Sequence, residues 1–317
     1  MRTTRWFLRL TLILAVLFVG DAWEAAAQVV KLRGVSLPLT NYTPLLIARE
    51  KGWFAEENLD VSWTNVAQGA IAIEAVYGGS AEFGASSIFE PLVARGNGLD
   101  IVYVAAQTRL VSQPPDNTAM LVRVEDNIRS AKDLAGKTVS AGLINSVNYI
   151  HTHVWLRKHG VDPKTVKFLE VPFPQMNDAL FQKRIDAAFN VEPFATFALK
   201  TGKARSIGHP YQENFPGMDI AHYIAKESWV KANLDAMRRF KKAVDRATNH
   251  LNSVPKEERD GWIAKYTGMK PEIVAAVNLP IFTTEYNVES LRKNLDLAVE
   301  FKLIKQPFDV TTMIWKP

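Results

Sequence analysis

VKLRGVSLPLTNYTPLLIAREKGWFAEENLDVSWTNV, residues 30–66, sets the plan that the rest of the chain repeats. Val30 to Leu37 predicts a strand, and Pro38 to Thr43 a turn. Pro44 suits the first turn of a helix, which Leu45, Leu46, Ala48 and Arg49 continue to Lys51. Gly52 is the natural stop, and Trp53 and Phe54 would fold back under the helix end. Val61 to Val66 is again strand-like. The pattern is strand, helix, strand, with the hydrophobic period changing from two to about 3.6.

The same alternation continues outward. Gln68-Gly69 opens a helix that stops at Gly78-Gly79. Ala81 to Ser86 predicts a third strand, Glu90 to Arg95 a helix ending at Gly96-Asn97-Gly98, and Ile101 to Ala106 a fourth strand. Residues 107–117, with Gln113-Pro114-Pro115-Asp116-Asn117, read as a crossover. A second α/β segment follows. Its predicted strands are Ala119 to Val124, Gly136 to Ala141, Val166 to Val171 and Ile185 to Asn190. Its predicted helices are Ser130 to Leu134, Tyr149 to His159 and Gln175 to Gln182. From Ser228, read as an N-cap, the chain turns helical, with Val230, Leu234, Met237, Val244 and Leu251 as one apolar stripe. Asn287 caps a second striped helix. These stripes read as packing surfaces. An order of this kind predicts an α/β fold with a mostly parallel sheet.

In open α/β sheets ligands sit beyond the carboxyl ends of the strands. That rule nominates Asn41 and Tyr42 after the first strand, Gln68 after the second, Ser86 and Ser87 after the third and Gln107 after the fourth. In the second segment it nominates Asn145, Ser146, Asn148 and Glu192. Helix N-terminal amides beside hydroxyl and amide side chains suit an anion or strong acceptor. Plainer roles stand beside these. Ser86 and Ser87 also fit a turn, Tyr42 a lobe surface, Asn145 and Ser146 an ordinary helix cap, and Glu192 a hinge acceptor. Arg109 fits either a ligand anion or a salt bridge at the crossover.

The N-terminus has its own logic. Arg2, Arg5 and Arg9 lead into an apolar run from Leu10 to Gly20, about half of what spans a bilayer. Asp21 to Glu24 closes the run, and Ala25-Ala26-Ala27 follows. This reads as a secretory signal peptide, residues 1–27, cleaved before Gln28, rather than a retained anchor. The chain has 317 residues and no cysteine, so it has no disulfide, thiolate metal site or cysteine nucleophile. The net charge of +5 is scattered, as in Lys256-Glu257-Glu258-Arg259, which argues against a nucleic-acid surface. His151 and His153, two apart on a helix, face different sides and cannot share one metal in the manner of a four-residue spacing.

Four segments carry a family resemblance. Ile47-Ala48-Arg49-Glu50-Lys51-Gly52-Trp53-Phe54-Ala55-Glu56-Glu57-Asn58-Leu59-Asp60-Val61 resembles the N-terminal signature of periplasmic solute-binding proteins for sulfonates, nitrate, taurine and thiamine-type pyrimidines. Gly78-Gly79-Ser80-Ala81-Glu82-Phe83-Gly84, Asp133-Leu134-Ala135-Gly136-Lys137-Thr138-Val139 and Ile185-Asp186-Ala187-Ala188-Phe189-Asn190-Val191-Glu192-Pro193-Phe194 resemble later elements in the same order. The resemblance, from about residue 30 to 300, implies a two-lobe type II periplasmic-binding-protein fold with a ligand cleft between discontinuous lobes. Lobe I would comprise residues 28–114 and 216–317, and lobe II residues 115–215. It further implies an exported, monomeric component of an ABC importer, with no cofactor, no catalytic role and a membrane permease as partner. Where sulfonate binders have a Gly-Ser-Ser-type turn, this chain reads Gly142-Leu143-Ile144-Asn145-Ser146-Val147-Asn148. That departure favours a larger, partly apolar ligand such as a carboxylate or heteroaromatic. A pyrimidine-synthesis enzyme on the same fold and a sensing partner of a membrane receptor are the competing readings; the export signal and the absence of cysteine count against the enzyme.

Overall fold

The computed structural model describes residues 28–317; the expected signal peptide, 1–27, lies outside them. Two sheets organise the chain. The first contains β1 (Val30–Ser36), β2 (Leu59–Asn65), β3 (Phe83–Ser87) and β4 (Ile101–Arg109) from the N-terminal part. The second contains β5 (Thr118–Arg123), β6 (Thr138–Ser140), β7 (Lys167–Phe168), β8 (Ala187–Val191) and β9 (Ala204–Gly208). The chain then returns to the first sheet with β10 (Asp219–Lys226) and β11 (Ile281–Phe282). The strand orders are β11-β4-β10-β3-β1-β2 and β7-β6-β8-β5-β9. Each lobe therefore has its own sheet, and the first is built from both ends of the chain.

Local chemistry explains most of the elements. Pro44 opens the helix Thr43–Glu50, and Gly52, at φ +74°, supplies the left-handed residue that lets Trp53–Glu56 fold back beneath it. Asn287 caps the helix Val288–Glu300 by accepting from the amides of Glu289 and Ser290 at 3.1 and 3.2 Å. Ser228 does not cap its helix. The helix Glu227–Ala232 starts one residue earlier, and the Ser228 amide donates to the Asp100 carboxylate at 3.0 Å. A carboxylate from a neighbouring loop thus takes the role expected of Ser228.

The first sheet is mixed rather than mostly parallel, and the change of direction comes at β10. That strand lies between β3 and β4 and runs antiparallel to both, whereas β1 pairs in parallel with β2 and β3. Its residues Asp219 to Ala225 are all buried. A strand covered on both faces shows no alternation, and Asp219, His222 and Tyr223 disguise it further. The core gathers here. The fully buried Phe83 ring lies 4.6 Å from Phe240 and 6.0 Å from Tyr223, centroid to centroid. Gly34, opposite Phe83 in the β1–β3 pairing, leaves the space that this ring fills. In the second lobe Leu121, Phe173, Met176 and Leu180 form a smaller apolar layer beneath β5 and β8. The predicted strand Val166 to Val171 shrinks to the two residues of β7, which sits at the sheet edge.

Arg109 closes the first crossover. It donates to Asp219 at 2.7 Å, and Asp219, fully buried, also accepts from the Asn287 amide at 2.6 Å. Of the two roles open to Arg109, the salt bridge is the one formed. Among the described residues no helix is long and apolar enough to cross a membrane.

Candidate functional site

The cavity between the two sheets encloses about 570 Å3, the space at its mouth included. Most of its polar lining follows the ends of parallel strands. Asn41 and Tyr42 follow β1, Gln68 follows β2, Ser87 ends β3, and Ser146 and Asn148 lie in the turn and helix after β6. Further lining comes from the starts of antiparallel strands. Asn117 and Thr118 enter β5, and Ile220 and Ala221 enter β10. An antiparallel strand brings its amino end to the edge where a parallel strand brings its carboxyl end, so both kinds meet at one cleft. Leu37, Leu39, Phe173, Val191 and the rings of Tyr42 and Tyr211 form apolar walls.

The polar groups fall into those already paired and those that are not. Asn41 donates to Thr108 at 2.8 Å. The Tyr42 hydroxyl donates to the Ser86 carbonyl at 3.0 Å, so its ring is what it offers the cavity. Asn148 accepts from the Tyr211 hydroxyl at 2.5 Å. Ser146 caps the helix Val147–Lys158, accepting from the Tyr149 amide at 3.4 Å. In contrast, Gln68 Nε2 and Asn117 Oδ1 are buried with no partner. Unpaired buried polar atoms are costly, and a bound ligand is one way to satisfy them.

Glu90 is the charged lining residue that the strand-end rule did not nominate. It sits in the helix Phe89–Gly96 and lines the cavity. Its carboxylate accepts from the Ser87 hydroxyl and, across the cleft, from the Val147 amide at 3.1 Å. Burial raises its pKa above the ordinary value, against those two hydrogen bonds. The signal for it was Ser87-Ile88-Phe89-Glu90, a Ser-x-x-Glu capping pattern. Here one carboxylate oxygen stays on Ser87 at its own helix start while the other reaches the opposite lobe.

Four nominated residues stand outside this lining. β4 extends to Arg109, so Gln107 lies within the strand, fully buried, with its amide on the Ala106 carbonyl at 2.7 Å. Ser86 is likewise inside β3 and fully buried, behind Gly69. Asn145 is exposed at φ +65°, a left-handed turn position that asparagine tolerates, and borders a second recess that shares Gln68, Glu90 and Ser146 with the cavity. Glu192 accepts from the Thr196 hydroxyl at 2.8 Å and the Asn278 amide at 3.4 Å. It therefore ties the end of β8 to the C-terminal part of the first lobe. Burial drives its pKa up to about 7, and Asp116 adds to the rise. Among the described residues no histidine lines the cavity; His151 is fully inside, 3.1 Å from Asn294, and His153 stacks on Phe168.

Two lobes, one sheet each, and a polar-lined cleft between them define a protein of the periplasmic-binding-protein fold. The chain belongs to the NMT1/THI5-like family, whose model matches residues 39–258. An alkanesulfonate-binding protein from Xanthomonas axonopodis pv. citri, solved with MOPS bound, has a similar structure. Its TM-score is 0.78 at 18% identity, covering 92% of this chain and all of that one. A protein of Escherichia coli (strain K12) named for the binding of aliphatic sulfonates is 23% identical over 265 residues, 81% of this chain and 80% of its own. A 4-amino-5-hydroxymethyl-2-methylpyrimidine phosphate synthase of Saccharomyces cerevisiae is 21% identical over 250 residues, 74% of this chain and 69% of its own. Proteins similar to this chain thus include some named as binders and some named as synthases.

Proposed function

We propose that this protein is the exported solute-binding component of an ABC importer, which captures a small organic molecule between its lobes and hands it to a membrane permease. The supporting observation is the cavity itself, walled by both lobes and lined by Gln68 and Asn117, whose buried Nε2 and Oδ1 have no partner. A ligand that satisfies groups on both sides favours the closed arrangement to the extent that it binds that form more tightly than the open one. In this reading residues 1–27 are the signal peptide, the mature chain is a monomer beginning at Gln28, and lobe II spans roughly 115–215. The cavity side of the site comprises Asn41, Tyr42, Gln68, Ser87, Ser146 and Asn148, joined by Glu90 and Asn117.

Expression of the full chain in a Gram-negative host tests both halves of the proposal. A periplasmic product starting near Gln28, stabilised by a small solute by about 2.7 kcal/mol at 100 times its dissociation constant, is expected. Chemical conversion of that solute by the purified protein would instead establish the synthase reading.

A further inference from the structure

Resting on the reading of the cleft as a solute site, we infer that it selects a nitrogenous ligand, one that donates N–H hydrogen bonds or carries positive charge, and rejects sulfonates, nitrate and similar small anions.

Charge is the first argument. Among the described residues lining the cavity Glu90 is the one carboxylate, and there is no lysine, arginine or histidine. An anion entering this space would meet a like charge in a low-dielectric setting with no cation to offset it. Both Glu90 oxygens accept hydrogen bonds, one from Ser87 and one from Val147. The Ser87 oxygen itself accepts from the Phe89 amide at 2.9 Å, which leaves its proton directed to Glu90. That arrangement suits the ionised carboxylate.

The second argument concerns the helix Val147–Lys158. Its first-turn amides are the feature of the second lobe most suited to an anion. The Val147 amide already points at Glu90, 3.1 Å away. The protein's own carboxylate therefore occupies the position that a sulfonate or nitrate would need.

The third argument is the pair of unpaired groups. Gln68 and Asn117 are 7% and 2% exposed. Asn117 Oδ1 calls for a donor, as Glu90 does, while Gln68 Nε2 offers one. A ligand with N–H donors and at least one acceptor atom answers all three. Aromatic walls from Tyr42, Tyr211 and Phe173 suit a flat ring or an amidinium plane. Burial raises the Glu90 pKa, and an adjacent cation is the partner that returns it toward the ordinary value.

Calorimetry on the protein purified after expression of the full chain decides the matter. The anionic probes are butanesulfonate, MOPS and nitrate; the nitrogenous probes are benzamidine, 4-aminopyridine and cytosine. Binding confined to the nitrogenous set, and weakened at least tenfold in Glu90→Gln, is expected. Binding of an anion more tightly than all three nitrogenous probes overturns the inference while leaving solute capture intact. Equal nitrogenous binding by wild type and Glu90→Gln overturns it too. Silence from all six probes overturns this inference, while solute capture stands or falls by the expression and stabilisation test above. Should Glu90→Gln not fold, the wild-type preference between the two sets still decides.

Discussion

Glu192→Gln should change how stability depends on pH, and His151→Gln should change it in the opposite sense. Glu192 is 1% exposed and its folded pKa is about 7, against an ordinary 4.5. Between those values the folded protein keeps a proton that the unfolded chain releases. The resulting stability is full below pH 4.5 and is lost as pH rises through 7. The gap corresponds to about 3 kcal/mol. His151 is 1% exposed, and burial lowers its pKa from 6.5 to about 4. Here the unfolded chain binds the proton first as pH falls. Stability is full above pH 6.5 and is lost on acidification through 4, again by about 3 kcal/mol. In wild type the two trends oppose each other between pH 4.5 and 6.5. Urea unfolding of wild type and both variants at pH 4, 4.5, 5.5, 6.5 and 7.5 separates them, because all other titrating groups are common to the three proteins. The stability of Glu192→Gln relative to wild type should rise by about 3 kcal/mol as pH increases from 4.5 to 7. That of His151→Gln should rise by a similar amount as pH decreases from 6.5 to 4. Differences that stay constant across the series would refute the assignment of buried, shifted protons to these two side chains.

Gly34→Ala places a Cβ 2.1 Å from the Phe83 ring, which Phe240 and Tyr223 hold in place, so unfolding experiments should register a loss of about 3 kcal/mol or complete failure to fold. Asn287→Ala removes the cap on Val288–Glu300 and should cost about 1 kcal/mol in the same assay. Gln68→Ala should weaken capture of an identified solute by about 1 kcal/mol, measured by calorimetry, while leaving the stability of the empty protein unchanged or higher, because its Nε2 has no partner to lose.

The alternation of strand and helix over residues 30–106 is legible in the chain, because Pro44, Gly52 and Gly78-Gly79 punctuate it and the hydrophobic period changes at each boundary. The sequence also placed Asn41, Tyr42, Gln68, Ser87, Ser146 and Asn148 near the ends of their strands, which is where the cavity lies. It could not decide between Ser86 and Ser87, or exclude Gln107. That choice depends on where β3 and β4 end, and pairing with β10, far along the chain, extends β4 to Arg109. Glu90 stayed hidden because a Ser-x-x-Glu pattern describes only its local partner, Ser87, whereas its second partner, the Val147 amide, is 57 residues away. Asn117, Thr118, Ile220 and Ala221 stayed hidden for a topological reason. They sit at the beginnings of β5 and β10, and only the antiparallel direction of those strands in the assembled sheets carries their amino ends to the cleft. Local pattern fixes which residues form a strand and which side of it faces inward. Strand direction within a sheet is set by long-range pairing, and in this protein that pairing decided which strand ends, carboxyl or amino, supply the candidate site.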